Sequence, residues 1–374
     1  MPGLLIPTFS FLLIYIVVFI LLYIGWLKIP SFNNSATPSN LIVSVIIPFR
    51  NEAANLASII NDLKDQVLPS HLYEAIFVND HSEDDSYVIV KSNINNTSSF
   101  RLLNLTGDKT GKKAAIYHGI ESAKGSLIVT TDADCRLQPG WLQTISSYYE
   151  QHKPKLIIGP VEFISNKGFF NRFQQMELAS LIGSSAGATA LGHPAMCNGA
   201  NLAFEKAAYS KLSDPTNKNF ASGDDIFLLQ KIKKKYKKDI HFIKHKNAVV
   251  RTKASPNLSL FINQRKRWLS KSSGYTDNDI RILAAVVYLT SLSILFSFFL
   301  GFIKPIYSLW GLASFVAKTM VDGLLFSSIA QYFNIKRNIL LLVPFQIIYI
   351  IYVSLMPVFF LKKTFIWKNR VFNK

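Results

Sequence analysis

Three groups of acidic residues in this sequence have the types and spacing to do chemistry. Asp132 and Asp134, within Thr131-Asp132-Ala133-Asp134-Cys135, stand one residue apart after the apolar run 127–131. Magnesium takes one or two carboxylates and completes its shell with water and phosphate oxygens, so a D-x-D turn at a strand end suits a nucleoside-diphosphate metal site. Asp80 closes the run 75–80 and opens the acidic turn Asp80-His81-Ser82-Glu83-Asp84-Asp85. A carboxylate there can accept hydrogen bonds from a nucleobase or ribose, or cap the next helix. Asp224 and Asp225, in Ser222-Gly223-Asp224-Asp225-Ile226, precede an apolar stretch. A sugar hydroxyl becomes a competent nucleophile only when a positioned base takes its proton. An N-cap on a helix 226–232 is the structural alternative for this pair.

Cations stand at two places between and after these acids. Lys112, in Thr110-Gly111-Lys112-Lys113-Ala114-Ala115, sits where a helix starts, and helix amides and an ammonium favour a phosphate together. The spaced glycines and Lys-Ser/Thr ending of a P-loop are absent. Gln264-Arg265-Lys266-Arg267-Trp268 comes last, before an apolar segment, where basic and tryptophan residues also serve as membrane-interface anchors.

The elements that must position these residues are short β-branched runs at 42–48, 75–80 and 127–131, with helical stretches at 52–67, 85–93 and 112–123. Alternation of strand and helix predicts an α/β domain with a mostly parallel sheet, whose ligands gather beyond the carboxyl ends of the strands. Asp80 and Asp132 both fall at such ends.

Composition sets the surroundings. The chain has 374 residues, 49% hydrophobic and 17% charged, with 41 Lys plus Arg against 23 Asp plus Glu and a net charge of +18. That is too apolar for a disordered chain, and the positive charge suits phosphates or anionic lipid headgroups. Two cysteines, Cys135 and Cys197, cannot build a disulfide framework or a C-x-x-C zinc site. His241 and His245 have i, i+4 spacing, but in a strand-like stretch that does not present them together to a metal. The lysine run 231–238 reads as a solvated face or an anionic-lipid contact, and no nucleic-acid-binding signature appears.

Residues 4–27 carry no charge and are long enough to span about 30 Å of hydrocarbon. A basic start, shorter core and small-residue cleavage site are missing, so the segment reads as a retained anchor. Residues 282–303 and 339–361 are likewise charge-free. Between them, 305–333 contains Lys318 and Asp322, one helical turn apart. Each charge costs about 2.5–3.5 kcal/mol at a helix centre, which leaves this segment near break-even as a crossing or an interfacial helix. If it crosses, the basic tail ends opposite the central domain, against the positive-inside rule. Residues 169–174 read either as an amphipathic surface helix or as ordinary core. The expected layout is 4–27 membrane helix, 41–250 catalytic domain, 251–280 interfacial segment, 281–361 two or three membrane helices, and 362–374 basic tail, with a polar spacer at 30–40.

Taken in order, Asp80, Asp132 with Asp134, Asp224-Asp225, and Gln264, Arg267 and Trp268 resemble the motifs of membrane-embedded family 2 glycosyltransferases, the group of cellulose, chitin and hyaluronan synthases and ceramide glucosyltransferase. The resemblance runs from about Val43 to Trp268, and includes Cys197 to Phe204 and the Gly111-Lys112 stretch. It implies a GT-A nucleotide-diphospho-sugar transferase domain flanked by transmembrane helices, and inverting transfer from a UDP-sugar to a lipid or glycan acceptor on the cytoplasmic side. Asp80 and Asp132 would then contact the nucleoside, with Lys112 beside the phosphates. Asp134, with Asp132, would hold Mg2+ or Mn2+. Asp225 aligns with the last acid of a T-E-D or E-D-D triplet and is the implied base. The triplet's first position is Gly223 here, which leaves the choice between Asp224 and Asp225 open. Arg267 and Trp268, with Gln264, would cover diphosphate and acceptor. Membrane lipids and a partner subunit or second copy are implied partners. The competing readings are a processive polysaccharide synthase and a non-catalytic membrane scaffold.

Overall fold

The computed structural model describes residues 5–32, 40–95, 97–164, 168–217, 220, 222–359, 364–367 and 370–373. Its strands are β1 (Val43–Phe49), β2 (Tyr73–Asn79), β3 (Phe100–Asn104), β4 (Leu127–Thr130), β5 (Leu156–Ile158), β6 (Val161–Phe163), β7 (Leu202–Glu205), β8 (Ile240–Phe242) and β9 (Val250–Thr252). Its helices are α1 (Leu5–Lys28), α2 (Ala53–Lys64), α3 (Ser86–Ile94), α4 (Lys112–Ser122), α5 (Trp141–His152), α6 (Phe169–Ala190), α7 (Lys206–Ser210), α8 (Asp224–Tyr236), α9 (Leu258–Ser270), α10 (Asn278–Gly301), α11 (Pro305–Tyr332) and α12 (Leu342–Phe359). The chain divides into two compact units.

The sheet-bearing unit is built on a seven-stranded sheet of order β3-β2-β1-β4-β7-β5-β8. Every residue of β1, β2 and β4 is buried, as expected for central strands covered on both faces. β1, β2, β3 and β4 run parallel, whereas β7 is antiparallel to both of its neighbours. Phe49 pairs with Asn79 and Ile46 with Thr130, so β1, β2 and β4 point their carboxyl ends the same way. Asp80 and Asp132 leave the sheet on that edge. β6 and β9 form a separate parallel pair.

The second unit gathers α1, α6, α10, α11 and α12. Four stretches in it, Phe9–Lys28, Asn278–Gly301, Pro305–Tyr332 and Lys336–Val358, are helical, long and apolar enough to cross a membrane. Small residues let α1 and α6 meet backbone to backbone: a Cβ added to Gly25 would lie 2.3 Å from the Gly187 oxygen. α6 itself is polar yet enclosed. Gln174, Gln175 and Glu177 are all buried, and Asn338 donates to Gln175 at 3.3 Å. The sequence boundaries 41–250 place α6 in the catalytic domain, whereas its packing places it among the apolar helices. Within 169–174, Phe173 and Gln174 are buried whereas Phe169 and Arg172 are exposed.

Lys318 and Asp322, the residues that left 305–333 near break-even, lie on one unbroken helix and pair at 2.6 Å. The Tyr15 hydroxyl donates to Asp322 at 2.6 Å, while Gln346 donates to Asp322 at 2.7 Å and accepts from Lys318 at 2.9 Å. The rings of Tyr15 and Tyr349 also face the ammonium. Helices α1, α11 and α12 thus share one satisfied polar cluster, which makes a buried charge tolerable.

Most of the 30–40 spacer and Lys362, Lys363, Lys368 and Lys374 of the basic tail lie outside the described residues; Arg370 begins a short strand paired with Thr364–Trp367.

Asp322→Ala leaves Lys318 without its carboxylate and is expected to cost about 3–5 kcal/mol. Thermal unfolding in detergent should show the loss, and Lys318→Met combined with Asp322→Leu should recover part of it.

Candidate active site

Asp132 and Asp134 occupy the turn that leaves β4, where the amide of Cys135 donates to the Asp132 carbonyl at 3.1 Å. Ala133 between them is buried, which turns the two flanking acids toward half-exposed positions. Lys112 is the first residue of α4, after Gly111, and its ammonium lies 2.5 Å from Asp132. Burial opposes the charge on Lys112, but Asp132 and Asp224 outweigh it and hold the ammonium above the ordinary lysine range.

Asp224 and Asp225 are the first two residues of α8, whose cap is Gly223, with φ of 90° and no side-chain capping bond. The acids are therefore not an N-cap, and the helix starts before the expected 226. Negative charge is favoured in a first turn. The Asp225 carboxylate accepts from the amides of Ile226 at 2.8 Å and Gly199 at 3.1 Å, and pairs with Lys271 at 3.3 Å. Gly199 is in turn fixed by Thr130, whose hydroxyl donates to its carbonyl at 2.8 Å. This ties the base of α8 to the end of β4.

Environment separates the two acids. Burial raises the pKa of Asp224, and the neighbouring charge of Asp225 adds to the rise while Lys112 opposes it. Burial works the same way on Asp225, yet Lys271, Lys112 and the two amides outweigh it and hold that carboxyl below the usual range. Arg267, on α9, is lowered from the ordinary arginine value by burial, opposed by the fields of Asp132, Asp224, Asp225 and Asp134. It remains cationic at neutral pH, since a guanidinium does not deprotonate in proteins. Lys112, Asp132, Asp134, Asp224, Asp225 and Arg267 thus act on one another in a single cluster.

Asp80 stands apart from that cluster. It is buried at the end of β2, two strands from β4, roughly 10 Å at about 4.8 Å per strand. Arg50 holds its turn, donating to the carbonyls of Asp80 at 3.0 Å and His81 at 2.6 Å and pairing with Glu83 at 2.7 Å. Asp84 rather than Asp80 receives the amide of Ser86 at the start of α3. Gln264 and Trp268 engage neither acid pair. Gln264 accepts from Arg265 at 2.6 Å, and the Arg265 guanidinium is stacked between Phe261 and Trp268, with ring centroids at 4.2 and 4.1 Å.

The motifs therefore missed Lys271, Arg265, Arg50 and Lys113. Lys113 donates to the carbonyls of Thr216, Asn217 and Phe220 at 2.7, 3.0 and 2.7 Å, fixing the loop before α8. Burial pushes it down to about 8, against the pull of Asp224 and Asp214, so it is still mainly protonated at neutral pH. Its position next to Lys112 was the available signal, since the two side chains must leave a helix in different directions.

Hard carboxylate oxygens at Asp132 and Asp134 fit Mg2+ or Mn2+. Among the described residues, no group of three or more His, Cys, Asp or Glu could hold a metal.

Residues 44–213 match the sequence profile of glycosyl transferase family 2. The chain is 31% identical over 126 residues to glycosyltransferase AglE of Haloferax volcanii, covering 34% of this chain and 41% of that protein. It is 36% identical over 101 residues to the undecaprenyl-phosphate 4-deoxy-4-formamido-L-arabinose transferase of Aeromonas hydrophila, covering 26% and 30%. The matches thus span less than half the length of these relatives. The fold is similar to that of mannosyltransferase PcManGT from Pyrobaculum calidifontis, solved with GDP-Man and Mn2+. That likeness has a TM-score of 0.55 at 16% identity and covers 94% of this chain and 96% of that one.

Arg265→Lys keeps the charge but loses the planar stack between Phe261 and Trp268. A loss of about 1–2 kcal/mol in thermal stability is expected.

Proposed function

We propose that this chain, whose residues 44–213 match the profile of glycosyl transferase family 2, is an inverting glycosyltransferase. It moves a sugar from a nucleotide-diphosphate donor to a hydroxyl of a lipid or glycan acceptor at the cytoplasmic face of a membrane. The reading is carried by the meeting of Asp132, Asp134, Asp224 and Asp225 with Lys112 and Arg267, acids and cations from four separate segments.

Asp225 serves as the base, because the amides of Ile226 and Gly199 and the ammonium of Lys271 hold its carboxylate in place and favour its charged form, whereas burial and the neighbouring Asp225 charge push Asp224 the other way. It takes the proton of the acceptor hydroxyl. The acceptor oxygen then bonds to the anomeric carbon on the face opposite the diphosphate. As that bond forms, the carbon–oxygen bond to the diphosphate breaks and its electron pair leaves with the nucleoside diphosphate. One displacement inverts the centre with no covalent intermediate. Lys112 and Arg267 stabilise the negative charge that develops on the departing group. A divalent cation held by Asp134 with Asp132 would supply further neutralisation of the diphosphate. Asp80, roughly 10 Å across the strand ends, is placed for the nucleoside, since a diphosphate sugar is an elongated ligand.

The apolar helices supply a lipid environment, and the four candidate spans among the described residues favour single transfer to a lipid over processive synthesis. UDP-sugars head the donor screen, with GDP-mannose, the donor in the Pyrobaculum mannosyltransferase, as the second class.

In detergent with added membrane lipid, nucleoside-diphosphate release should depend on Mg2+ or Mn2+ and stop with a chelator. Asp225→Asn should lower turnover by about 10²- to 10⁴-fold and leave donor affinity within about threefold. Asp134→Asn should abolish metal-dependent donor binding. Full turnover by Asp225→Asn would remove the base assignment, and a long labelled polymer would replace single transfer with processive synthesis.

A further inference from the structure

The first position of the acidic triplet is Gly223, and the space beside it is occupied. A Cβ added there would lie 2.8 Å from Cδ of Lys271, and the backbone has φ of 90°, a conformation L side chains rarely adopt. The aliphatic stem of Lys271 therefore runs across the glycine and delivers its ammonium to Asp225. Lys271 follows α9 directly, as the cap residue, and its carbonyl accepts from Gly274 at 3.0 Å in a tight turn. Gly274 lies against the rings of Phe220 and Phe227, so the turn is seated on α8. The root of the lysine and the root of Asp225 are held by the same contacts. Both side chains are largely enclosed, 13% and 16% exposed, where an ion pair is weakly screened and an unpaired carboxylate is costly.

The contacts divide the carboxylate in two. Oδ1 accepts from the Ile226 amide at 2.8 Å and pairs with Lys271 at 3.3 Å, while Oδ2 accepts only from the Gly199 amide at 3.1 Å among the described residues. An ionised carboxylate has about four lone-pair sites, so a free one remains on Oδ2. The other charged groups acting on Asp225 are Lys112 on α4, Asp224 beside it and Arg267 on α9; Cys197, in the segment before β7, lies within the field of Asp225 and Lys271. Lys112 is engaged at Asp132, which leaves Lys271 as the cation in direct contact with Asp225.

We infer that Lys271 is the positioning residue of the base: it holds Oδ1 of Asp225 so that the carboxylate stays charged and presents Oδ2 to the acceptor hydroxyl. The inference rests on the glycosyltransferase reading above and adds a residue to it. Lys271 does not touch the reacting atoms, and its effect passes through Asp225. The proton still moves from the acceptor oxygen to Asp225.

The test uses the full chain in detergent, with Lys271→Met to remove the ammonium and keep most of the stem, and Lys271→Arg to restore a cation. Lys271→Met should lower kcat by about 10- to 100-fold with donor KM within about threefold. The acid limb of its kcat/KM profile should move to higher pH, because losing the cation makes Asp225 easier to protonate. Lys271→Arg should recover most of the rate and the parental acid limb. A thermal-stability cycle of Lys271→Met and Asp225→Asn, singly and together, should show coupling whether or not turnover is measurable. Coupling with an unmoved acid limb would make the pair structural only and overturn the inference, as would a Lys271→Met variant with parental kcat. A parent chain silent with every donor class would count against the glycosyltransferase reading, and the inference would fall with it.

Discussion

Carboxylates buried together must be matched by cations, and the site is organised around that balance. Asp132, Asp134, Asp224 and Asp225 face Lys112, Arg267 and Lys271, so the cluster is one positive charge short of neutrality when all are ionised. Neither set arises within one element. The acids come from the ends of β4 and the start of α8, and the cations from the start of α4, from α9 and from the turn after it. Like charges in one enclosed space repel strongly, so these segments hold together only if acids and cations arrive together. A divalent ion entering with a diphosphate brings charges that nearly cancel, and such a cluster accommodates the two jointly better than either alone.

What could be read from the sequence follows from how local each signal was. Asp80 and Asp132 were legible because each directly ends an apolar run, and parallel strands send their carboxyl ends to one edge. The long apolar helices were legible from length and absence of charge. Lys318 and Asp322 were ambiguous because the groups that satisfy them, Tyr15 and Gln346, lie in other helices, one of them near the start of the chain. The packing of helix α6 was hidden for a related reason. Its glutamines and glutamate say nothing locally about burial, and the contacts with Gly25 and Asn338 that enclose α6 come from distant segments.

The late basic motif shows a different limit. Gln264, Arg267 and Trp268 were grouped by spacing, but the structure divides their work and brings in Arg265 between them. Arg265 is buried, stacked between Phe261 and Trp268 and bonded to Gln264, so two residues of the motif help it stiffen the helix. Arg267, on a different face, is the one whose charge feels all four acids. A spacing pattern records which residues occur together without separating those that hold the scaffold from those that face the ligand.

The departure at Gly223 extends the same reasoning. A third carboxylate at that position would deepen a cluster already short of positive charge, and any side chain there would collide with the stem of Lys271. Glycine removes both problems: it opens a lane for a lysine that no strand end or helix start announces, and it permits the left-handed turn that places Asp224 and Asp225 in the first turn of α8. The missing acid and the unanticipated lysine are thus one structural choice, in which the charge state of the neighbouring carboxylate is set by a cation from a distant segment rather than by another acid beside it.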